Sequence, residues 1–280
     1  MSKAIQRVVD GIVDRALTEN RLPWHRPWEQ CQLGMSKNLK TGTVYSGVNV
    51  FSLMHETRSA YFLTYRQAQE LGGQVRKGSK GSPIVWFSRI VDKRASTDDE
   101  KKFRGCFKPS TVFSIADIDG IDQPADETST VTIKPHERID RAEQIVNGWQ
   151  DCPTIHDDPA QAFYRPSTDS VHMPVIGQFD TAEEYYSTLF HELVHSTGAK
   201  HRLDRDLSGG MKTTSYSREE LVAELGACIL RAHCQIDAPN VDDNSVAYLQ
   251  SWASKLKDQP QMFSYAAGRA TAAAELITAG

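Results

Sequence analysis

The chain lacks the segments that place a protein in a membrane or outside the cell. No apolar run approaches the roughly 20 residues that a membrane-spanning helix requires, so no membrane partner is expected. Residues 1–20 intersperse charged side chains among apolar ones, which predicts an amphipathic helix rather than a signal peptide. The five cysteines are odd in number and include no Cys-x-x-Cys pair. We therefore expect reduced thiols and a cytoplasmic protein.

The sequence also has little that is typical of a repeat protein or a nucleoside triphosphatase. No internal repeat is present. Residues 72–82, GGQVRKGSKGS, have the glycine and lysine of a phosphate-contacting turn. They do not match G-x-x-x-x-G-K-[ST], so a nucleoside triphosphate site is not supported.

The two halves of the chain differ in charge. Residues 1–125 contain 19 Lys and Arg against 13 Asp and Glu, a net of +6, whereas residues 126–280 contain 13 against 23, a net of −10. Between them, residues 119–135 are rich in Pro, Thr, Asp and Ser and have no helical periodicity, which is typical of a linker. The sequence thus predicts two domains with different partners, at residues 1–125 and 136–280, joined by a linker at residues 126–135.

The acidic half contains TLFHELVHSTGAKHRL at residues 188–203. Its His-Glu-x-x-His motif places His191 and His195 four residues apart, so both imidazoles face one side of a helix. In zinc peptidases two such histidines bind the metal, and the glutamate between them, here Glu192, is the general base. The motif therefore predicts a catalytic Zn²⁺ site, with another divalent metal such as Mn²⁺ as the alternative.

The surrounding sequence favours this interpretation over a chance match on a solvated helix. Thr181 and Glu184 form a capping-box pattern before the motif, and Gly198 is suited to end the helix after it. The preceding residues 162–174 predict two short strands around a Ser-Thr-Asp turn. A strand beside the motif helix is where a zinc peptidase holds its extended substrate.

Two residues compete for the third ligand position. His201 completes the pattern H-E-x-x-H-x-x-G-x-x-H of the metzincins, with Met211 as the candidate Met-turn residue only ten positions further on. Glu220 lies instead in a second predicted helix, residues 216–232, for which Ser217 is the candidate N-cap. The residues alone leave both assignments open.

The second helix is suited to deliver a ligand. Its small residues Ala223 and Ala227 let it approach the motif helix closely. Glu224 follows Glu220 by four residues on the same face, where it can accept the free N–H of a ligand histidine. The simpler alternative is that both glutamates form a solvated acidic face. We expect Glu220 to be the third metal ligand and Glu224 to accept a hydrogen bond from a ligand histidine.

The basic half interleaves aromatic and cationic side chains. Proteins hold single-stranded nucleic acid in this way, because cations follow the phosphates while rings stack on bases. The residues expected to contact single-stranded DNA are Trp24, Trp28, Lys37, Lys40, Tyr45, Arg66, Arg76, Lys77 and Lys80. The alternative role of the aromatic residues is core packing. We expect that role for Trp86 and Phe87, in the apolar run PIVWF, and leave Tyr45 open between the two.

Two long segments resemble a known family. FYRPSTDSVHMPVIGQFDTAEEYYSTLFHELVHSTG, followed by REELVAELGA, is similar to the C-terminal metallopeptidase-like domain of the ArdC antirestriction family. The order E-x-x-A-E from Glu220 to Glu224 also resembles that of gluzincin-like peptidases, in which the first acid binds metal and the last orients a histidine. This resemblance favours Glu220 over His201. The segment from Trp24 to Ile121 resembles the N-terminal domain of the same family, which implies binding of single-stranded DNA.

The expected architecture is α+β with two domains, a small α/β domain that binds single-stranded DNA followed by a zincin-like metallopeptidase domain. The resemblance implies protection of incoming plasmid or phage DNA from host restriction, with a restriction-system component as a candidate protein substrate. Two other functions stay open: a DNA-binding protein with a structural metal site, and a regulatory metalloprotease that its DNA module localises. An open coordination position beside Glu192 favours an enzyme, and a closed one favours a structural site.

Overall fold

The computed structural model describes residues 3–19, 35–56, 58–91, 103–122, 124, 135–207, 214–236 and 259–279. Trp24, Trp28 and Met211 lie outside these residues, as does nearly all of the predicted linker. Within the described ranges, no helix combines the length and the apolar character that crossing a bilayer requires.

The basic half is built on a four-stranded sheet. Its helices are α1 (Lys3–Glu19), α2 (Val48–Leu53) and α3 (Tyr65–Glu70). Its strands are β1 (Lys37–Asn38), β2 (Tyr61–Thr64), β3 (Gln74–Val75), β4 (Ser82–Val91), β5 (Phe103–Ser114) and β6 (Ile118–Asp119). The sheet has the order β1-β2-β5-β4, with β1 parallel to β2 and the other pairs antiparallel. Strands β3 and β6 form a separate antiparallel pair.

The N-terminal helix α1 covers this sheet. Its buried residues, Ile5, Val8, Val9, Ile12 and Val13, recur at intervals of three and four and so form one apolar face. That face packs against β4, β5 and α2. The amphipathic helix predicted for the N-terminus is therefore present and has a structural role.

The acidic half places a small sheet beside a group of helices. The helices are α4 (Pro135–Gly148), α5 (Ala182–Ser196), α6 (Thr214–Cys234) and α7 (Pro260–Thr278), and the strands are β7 (Thr154–Asp157), β8 (Phe163–Arg165) and β9 (Ser170–Met173). The sheet order is β7-β9-β8, with β7 parallel and β8 antiparallel to β9. The strand β8, at the edge of the sheet, contacts α5. The two predicted strands before the motif helix are thus observed.

Helix α5 carries the His-Glu-x-x-His motif. The sequence predicted a cap at Thr181 and a helix end at Gly198. At the start of the helix Thr181 is the N-cap, and its hydroxyl accepts a hydrogen bond from the Glu184 backbone N–H at 3.2 Å, but the Glu184 side chain does not complete the capping box. At its end Thr197 is the C-cap, and Gly198 follows without a left-handed backbone conformation. A Cβ atom on Gly198 would lie 2.7 Å from Leu207 Cδ2 and 3.1 Å from Arg205 Nη2. Glycine is needed here because the following loop folds back closely, not because of the turn.

Helix α6 begins at Thr214, so Ser217 lies within the helix rather than at its N-cap. The close approach expected between α5 and α6 is present. At Gly226 a Cβ atom would lie 2.7 Å from Val194 Cγ2, and the neighbouring Ala223 is fully buried. The small residues of α6 therefore bring its glutamates to the histidine face of α5.

The last helix, α7, connects the two halves. It packs on α6 and also on α1 and α2, and a single cluster of buried residues runs through all four helices. The rings of Phe51 in α2 and Phe263 in α7 meet edge to face with centroids 5.7 Å apart. The backbone N–H of Gly47 donates to Thr271 Oγ1 at 3.0 Å. The predicted two-domain α+β architecture thus holds, and its halves share a hydrophobic core.

Candidate metal centre and nucleic-acid surface

Three side chains from two helices converge at one point. The Nε2 atoms of His191 and His195, one turn apart on α5, are 3.1 Å from each other. Glu220 of α6 places Oε2 at 3.5 Å from His191 Nε2 and Oε1 at 3.5 Å from His195 Nε2. The ligand atoms of the three residues all lie within 4.8 Å of one another.

The spacing of these atoms fits a divalent cation. Ligands about 2.0–2.1 Å from a tetrahedral ion are separated from each other by about 3.3 Å, close to the distances measured here. Two imidazoles and one carboxylate are ligands that Zn²⁺ accepts, and a carboxylate also suits Mn²⁺. His191, His195 and Glu220 are therefore a chemically suitable donor set.

The acidic surroundings favour positive charge at this point. Burial by itself lowers the pKa of His191, but the hydrogen bond to Glu220 and the negative charges of Glu224 and Glu192 outweigh it, and the pKa is raised to about 9. Without a cation, the cluster therefore holds a proton on the imidazole. A cation that binds there takes the place of that proton.

Glu192 lies beside the three ligand candidates and is held by the edge strand. Its side chain is buried, and its Oε2 accepts a hydrogen bond from the backbone N–H of Tyr164 in β8 at 2.8 Å. A cavity of about 410 Å³ opens in front of these groups. It is lined by the ligand candidates, by Glu192, by residues of β8 and by Leu207. The centre is therefore accessible from one side.

Two further carboxylates lie behind the histidines. Glu224 Oε1 is 3.9 Å from His191 Nδ1, beyond hydrogen-bond distance. Glu219 Oε1 is 3.3 Å from His195 Nδ1 and is also bound by the buried Arg205. Burial acts to raise the pKa of Glu219, but the hydrogen bonds with His195 and Arg205 lower it below its usual range. The sequence pattern indicated Glu224 and not Glu219, although Glu219 directly precedes Glu220 in the chain.

His201 lies away from this centre. Its side chain is 52% exposed, and its Nε2 is 3.5 Å from Asp169 and 3.8 Å from Asp151. It does not belong to the cluster formed by His191, His195 and Glu220. The geometry therefore offers Glu220, rather than His201, as the third donor.

Several of the cations expected to contact DNA are engaged within the protein. Lys40 and Arg66 both pair with Glu70, and Arg76 pairs with two aspartates. The ammonium group of Lys37 lies over the ring of Tyr61, 5.7 Å from its centroid. Lys77 and Lys80 are exposed in the turn after β3. These side chains are at the surface, but most of them have an acidic or aromatic partner.

The aromatic residues of the basic half take different roles from those expected. Tyr45, which the sequence left open, is buried with Phe62, and its ring is not accessible to a base. Trp86 and Phe87, expected in the core, are instead 47% and 56% exposed. That expectation was wrong. Phe107, opposite Phe87 on β5, is also exposed, and the rings of these two residues are 5.5 Å apart.

Lys108 lies beside Trp86 on the neighbouring strand. It is the pairing partner of Trp86 on β5, and its ammonium group lies 5.1 Å from the centroid of the indole. We call Trp86, Phe87, Phe107 and Lys108 the hairpin surface, in which Trp86 and Lys108 lie on one face of the two strands and Phe87 and Phe107 lie on the other. Exposed rings and cations are the side chains with which proteins hold single-stranded nucleic acid.

Comparison with known proteins identifies both halves. Residues 2–113 match the family described as the N-terminal domain of anti-restriction factor ArdC, and residues 140–269 match the zincin-like metallopeptidase family. Two proteins of Escherichia coli named DNA primase TraC are 33% and 35% identical over 91% and 92% of this chain. The chain spans only 25% and 19% of the length of those primases.

Other relatives match along most of their length. The uncharacterized protein y4eC of Sinorhizobium fredii is 32% identical, with 98% of this chain and 91% of that protein covered. Crystal structures of the antirestriction protein ArdC from plasmid R388, metal-free and Mn(II)-bound, superpose with TM-scores of 0.75 and 0.74. They are 36% identical, and 98% of this chain and 96% of theirs are covered. The chain therefore belongs to the ArdC antirestriction family and carries a zincin-like metallopeptidase domain after its N-terminal domain.

Proposed function

We propose that this protein binds single-stranded DNA through its basic half and hydrolyses peptide bonds at a metal centre in its acidic half. Through these activities it protects incoming plasmid or phage DNA from host restriction. The similarity to proteins named antirestriction protein and DNA primase supports a role on DNA. The observation that carries the proposal is the open cavity, in which a cation-binding donor set adjoins a buried glutamate.

Each residue of the centre has a distinct task. His191, His195 and Glu220 would hold Zn²⁺ or Mn²⁺, which would supply Lewis acidity for attack on a carbonyl group. Glu192 is the general base. Its Oε2 is occupied by the Tyr164 N–H, so Oε1 is the oxygen that takes a proton from water. The backbone contact keeps the carboxylate directed at the cavity.

The cavity favours an enzyme over a structural metal site. A structural zinc has four protein ligands and no open position, whereas the donor set found among the described residues has three members and faces about 410 Å³ of open space. One wall of that space is β8, at the edge of its sheet, along which an extended peptide can add as a further strand. The substrate class is therefore an extended protein segment. A component of the host restriction system is our candidate for it.

The catalytic proposal is tested by Glu192→Gln. The variant keeps the size and the oxygen that accepts from Tyr164, but it loses the basic carboxylate. We expect it to retain metal and bind single-stranded DNA as the wild type does, while hydrolysis of denatured casein falls by about 100-fold or more. Metal content, DNA affinity and casein cleavage are measured on the same preparations. Cleavage by the variant at the wild-type rate, or no cleavage by the metal-loaded wild type, would refute the catalytic role.

The hairpin surface supports the DNA-binding proposal. Trp86, Phe87 and Phe107 are 47%, 56% and 42% exposed, and the Lys108 ammonium group, 5.1 Å from the centroid of the Trp86 indole, supplies a positive charge beside that ring. Exposed Lys77 and Lys80 add positive charge to the same half of the chain. We propose that single-stranded DNA stacks on Trp86, while Lys77, Lys80 and Lys108 contact its backbone.

The DNA-binding proposal is tested with the full chain and a labelled 30-nucleotide strand. Trp86→Ala should weaken binding by roughly 5- to 150-fold, since stacking of one base is worth about 1–3 kcal/mol. Tyr265→Ala is the matched control. Like Trp86, Tyr265 is 47% exposed and has a cationic side chain, that of Arg269, over its ring. It lies on α7 and should leave the affinity unchanged.

The same titration at several salt concentrations should show a steep loss of affinity with salt, because phosphate contacts release counterions. Fluorescence anisotropy measures both effects. Equal affinity for duplex and single strand, or equal losses in Trp86→Ala and Tyr265→Ala, would contradict the proposal.

A further inference from the structure

The two carboxylates behind the histidines are not equivalent. The Glu219 side chain is 10% exposed and its Oε1 lies 3.3 Å from His195 Nδ1. The Glu224 side chain is 36% exposed and its Oε1 lies 3.9 Å from His191 Nδ1. Only the first pair is at hydrogen-bond distance and shielded from water. Glu219 is therefore the carboxylate with a fixed contact to a ligand candidate.

Glu219 is itself held by a buried arginine. The guanidinium of Arg205, whose side chain is 2% exposed, donates from Nε to Glu219 Oε2 at 3.0 Å and from Nη2 to Oε1 at 2.7 Å. Such a two-bond fork fixes both the position and the orientation of a carboxylate. The same guanidinium donates to the Val194 carbonyl and to Thr197 Oγ1, each at 2.7 Å. Arg205 thus joins Glu219 to the last turn of the helix that carries His195.

The loop after α5 is folded around this guanidinium. The Arg205 backbone N–H donates to the Gly198 carbonyl at 3.0 Å, and the Leu203 N–H donates to the Thr197 carbonyl at 2.9 Å. A side chain at position 198 would press on the guanidinium, because its Cβ atom would lie 3.1 Å from Arg205 Nη2. Glycine at this position leaves room for the arginine. The loop therefore holds Arg205 in a fixed position beside the centre, although Arg205 lies ten residues after His195.

We propose that Arg205 and Glu219 are positioning residues of the metal centre. Arg205 fixes the Glu219 carboxylate, and Glu219 accepts the Nδ1–H of His195, so that Nε2 carries no proton and faces the cation. The arginine also compensates the charge of Glu219, which leaves the adjacent Glu220 as the anionic ligand. This inference rests on the metal centre proposed above.

The direct test is Glu219→Gln, which is nearly isosteric, in the full chain. Removing a carboxylate behind a ligand histidine should lower Zn²⁺ affinity by about 10–100-fold. With Co²⁺ as a probe, the visible absorption bands should shift, because the imidazole loses its fixed orientation. Arg205→Lys keeps the charge but loses the fork, and it should act in the same direction.

Arg202→Lys is the matched control. Arg202 lies in the same loop, its side chain is 1% exposed, and it makes its own charge pair with Asp169 at 2.8 Å. It also donates to the Ser196 carbonyl at 2.9 Å. This variant should lower the melting temperature without changing Zn²⁺ affinity or the Co²⁺ spectrum.

A double-mutant cycle shows whether Arg205 acts by positioning Glu219 or only by stabilising the end of helix α5. If Arg205 acts through Glu219, Arg205→Lys should have little further effect on affinity in the Glu219→Gln background. Additive losses, or a Glu219→Gln protein with wild-type affinity and spectrum, would overturn the inference. Should Arg205→Lys fail to fold, the Glu219→Gln result decides alone. A wild-type chain that binds no Zn²⁺, or a His191→Ala chain that binds it fully, would contradict the proposed centre itself.

Discussion

Glu220 and His201 have opposite surroundings. The Glu220 carboxylate lies between two imidazole nitrogens, each 3.5 Å away, and its side chain is 22% exposed. His201 is half-exposed and faces the carboxylates of Asp151 and Asp169. A metal ligand must give up its hydration before it binds, and Glu220 has already lost most of it. This difference supports Glu220 as the third ligand.

Three alanine variants test the ligand assignment. Glu220→Ala removes the only anionic donor of the set and should leave the purified protein with little bound Zn²⁺. Glu224→Ala should weaken binding by less than 10-fold, because its distance of 3.9 Å from His191 Nδ1 is too long for a hydrogen bond. His201→Ala should retain one equivalent. Elemental analysis of the three proteins measures the outcome, and metal loss in His201→Ala with metal retained in Glu220→Ala would reverse our assignment.

Helices α5 and α6 deliver their ligands only if they pack at close range. The contact depends on Gly226, at which any side chain would press on Val194, a fully buried residue of the motif helix. Helix axes approach this closely only where side chains at the contact are small. The element that decides the metal geometry is therefore the α5–α6 contact rather than either helix alone.

Gly226→Ala tests this contact. The added methyl group overpacks the contact and should cost about 1–3 kcal/mol of stability, and Zn²⁺ affinity should fall because Glu220 moves away from the histidines. Val194→Ala in the same chain should restore part of the affinity. Gly268→Ala is the control, since its Cβ meets nothing within 4 Å and it should stabilise α7 by about 0.5–1 kcal/mol. Chemical denaturation and Zn²⁺ titration measure both quantities, and wild-type affinity in Gly226→Ala would contradict the expectation.

The whole molecule is held together by α7. Its apolar residues pack on α6, which carries the glutamates of the metal centre, and on α1 and α2, which cover the sheet of the basic half. Phe263 is fully buried at the junction against Phe51. Because one buried cluster includes α1 and α2 of the basic half together with α6 and α7 of the acidic half, we expect the stabilities of the two halves to be linked.

Phe263→Ala tests this linkage. Truncating a buried phenylalanine should cost about 3–5 kcal/mol, and the loss should appear in both halves at once. Hydrogen exchange followed by mass spectrometry should show faster exchange both in β2 and β5 and in α6. Exchange that increases in α6 while β2 and β5 keep wild-type protection would mean that the halves unfold independently.

Much of the metal centre could be predicted from the sequence because it depends on local geometry. Two histidines four residues apart share a helix face whatever surrounds the helix, and Thr181 caps it through its own neighbours. The roles of Trp86 and Phe87 could not be predicted in this way. Adjacent strand residues point to opposite faces, and both remain exposed here. Whether a strand face is covered depends on distant elements.

The amino-acid sequence was sufficient to predict the motif helix, its candidate ligands, the resemblance of both halves to one family and the difference in charge between them. The tertiary fold was needed to show that Glu219 contacts both His195 and Arg205, that Tyr45 is a core residue, and that α7 packs on helices of both halves. The reason is physical. Helix periodicity and capping act within a few residues, whereas burial and buried ion pairs depend on which distant segments meet, and the local pattern does not contain that information.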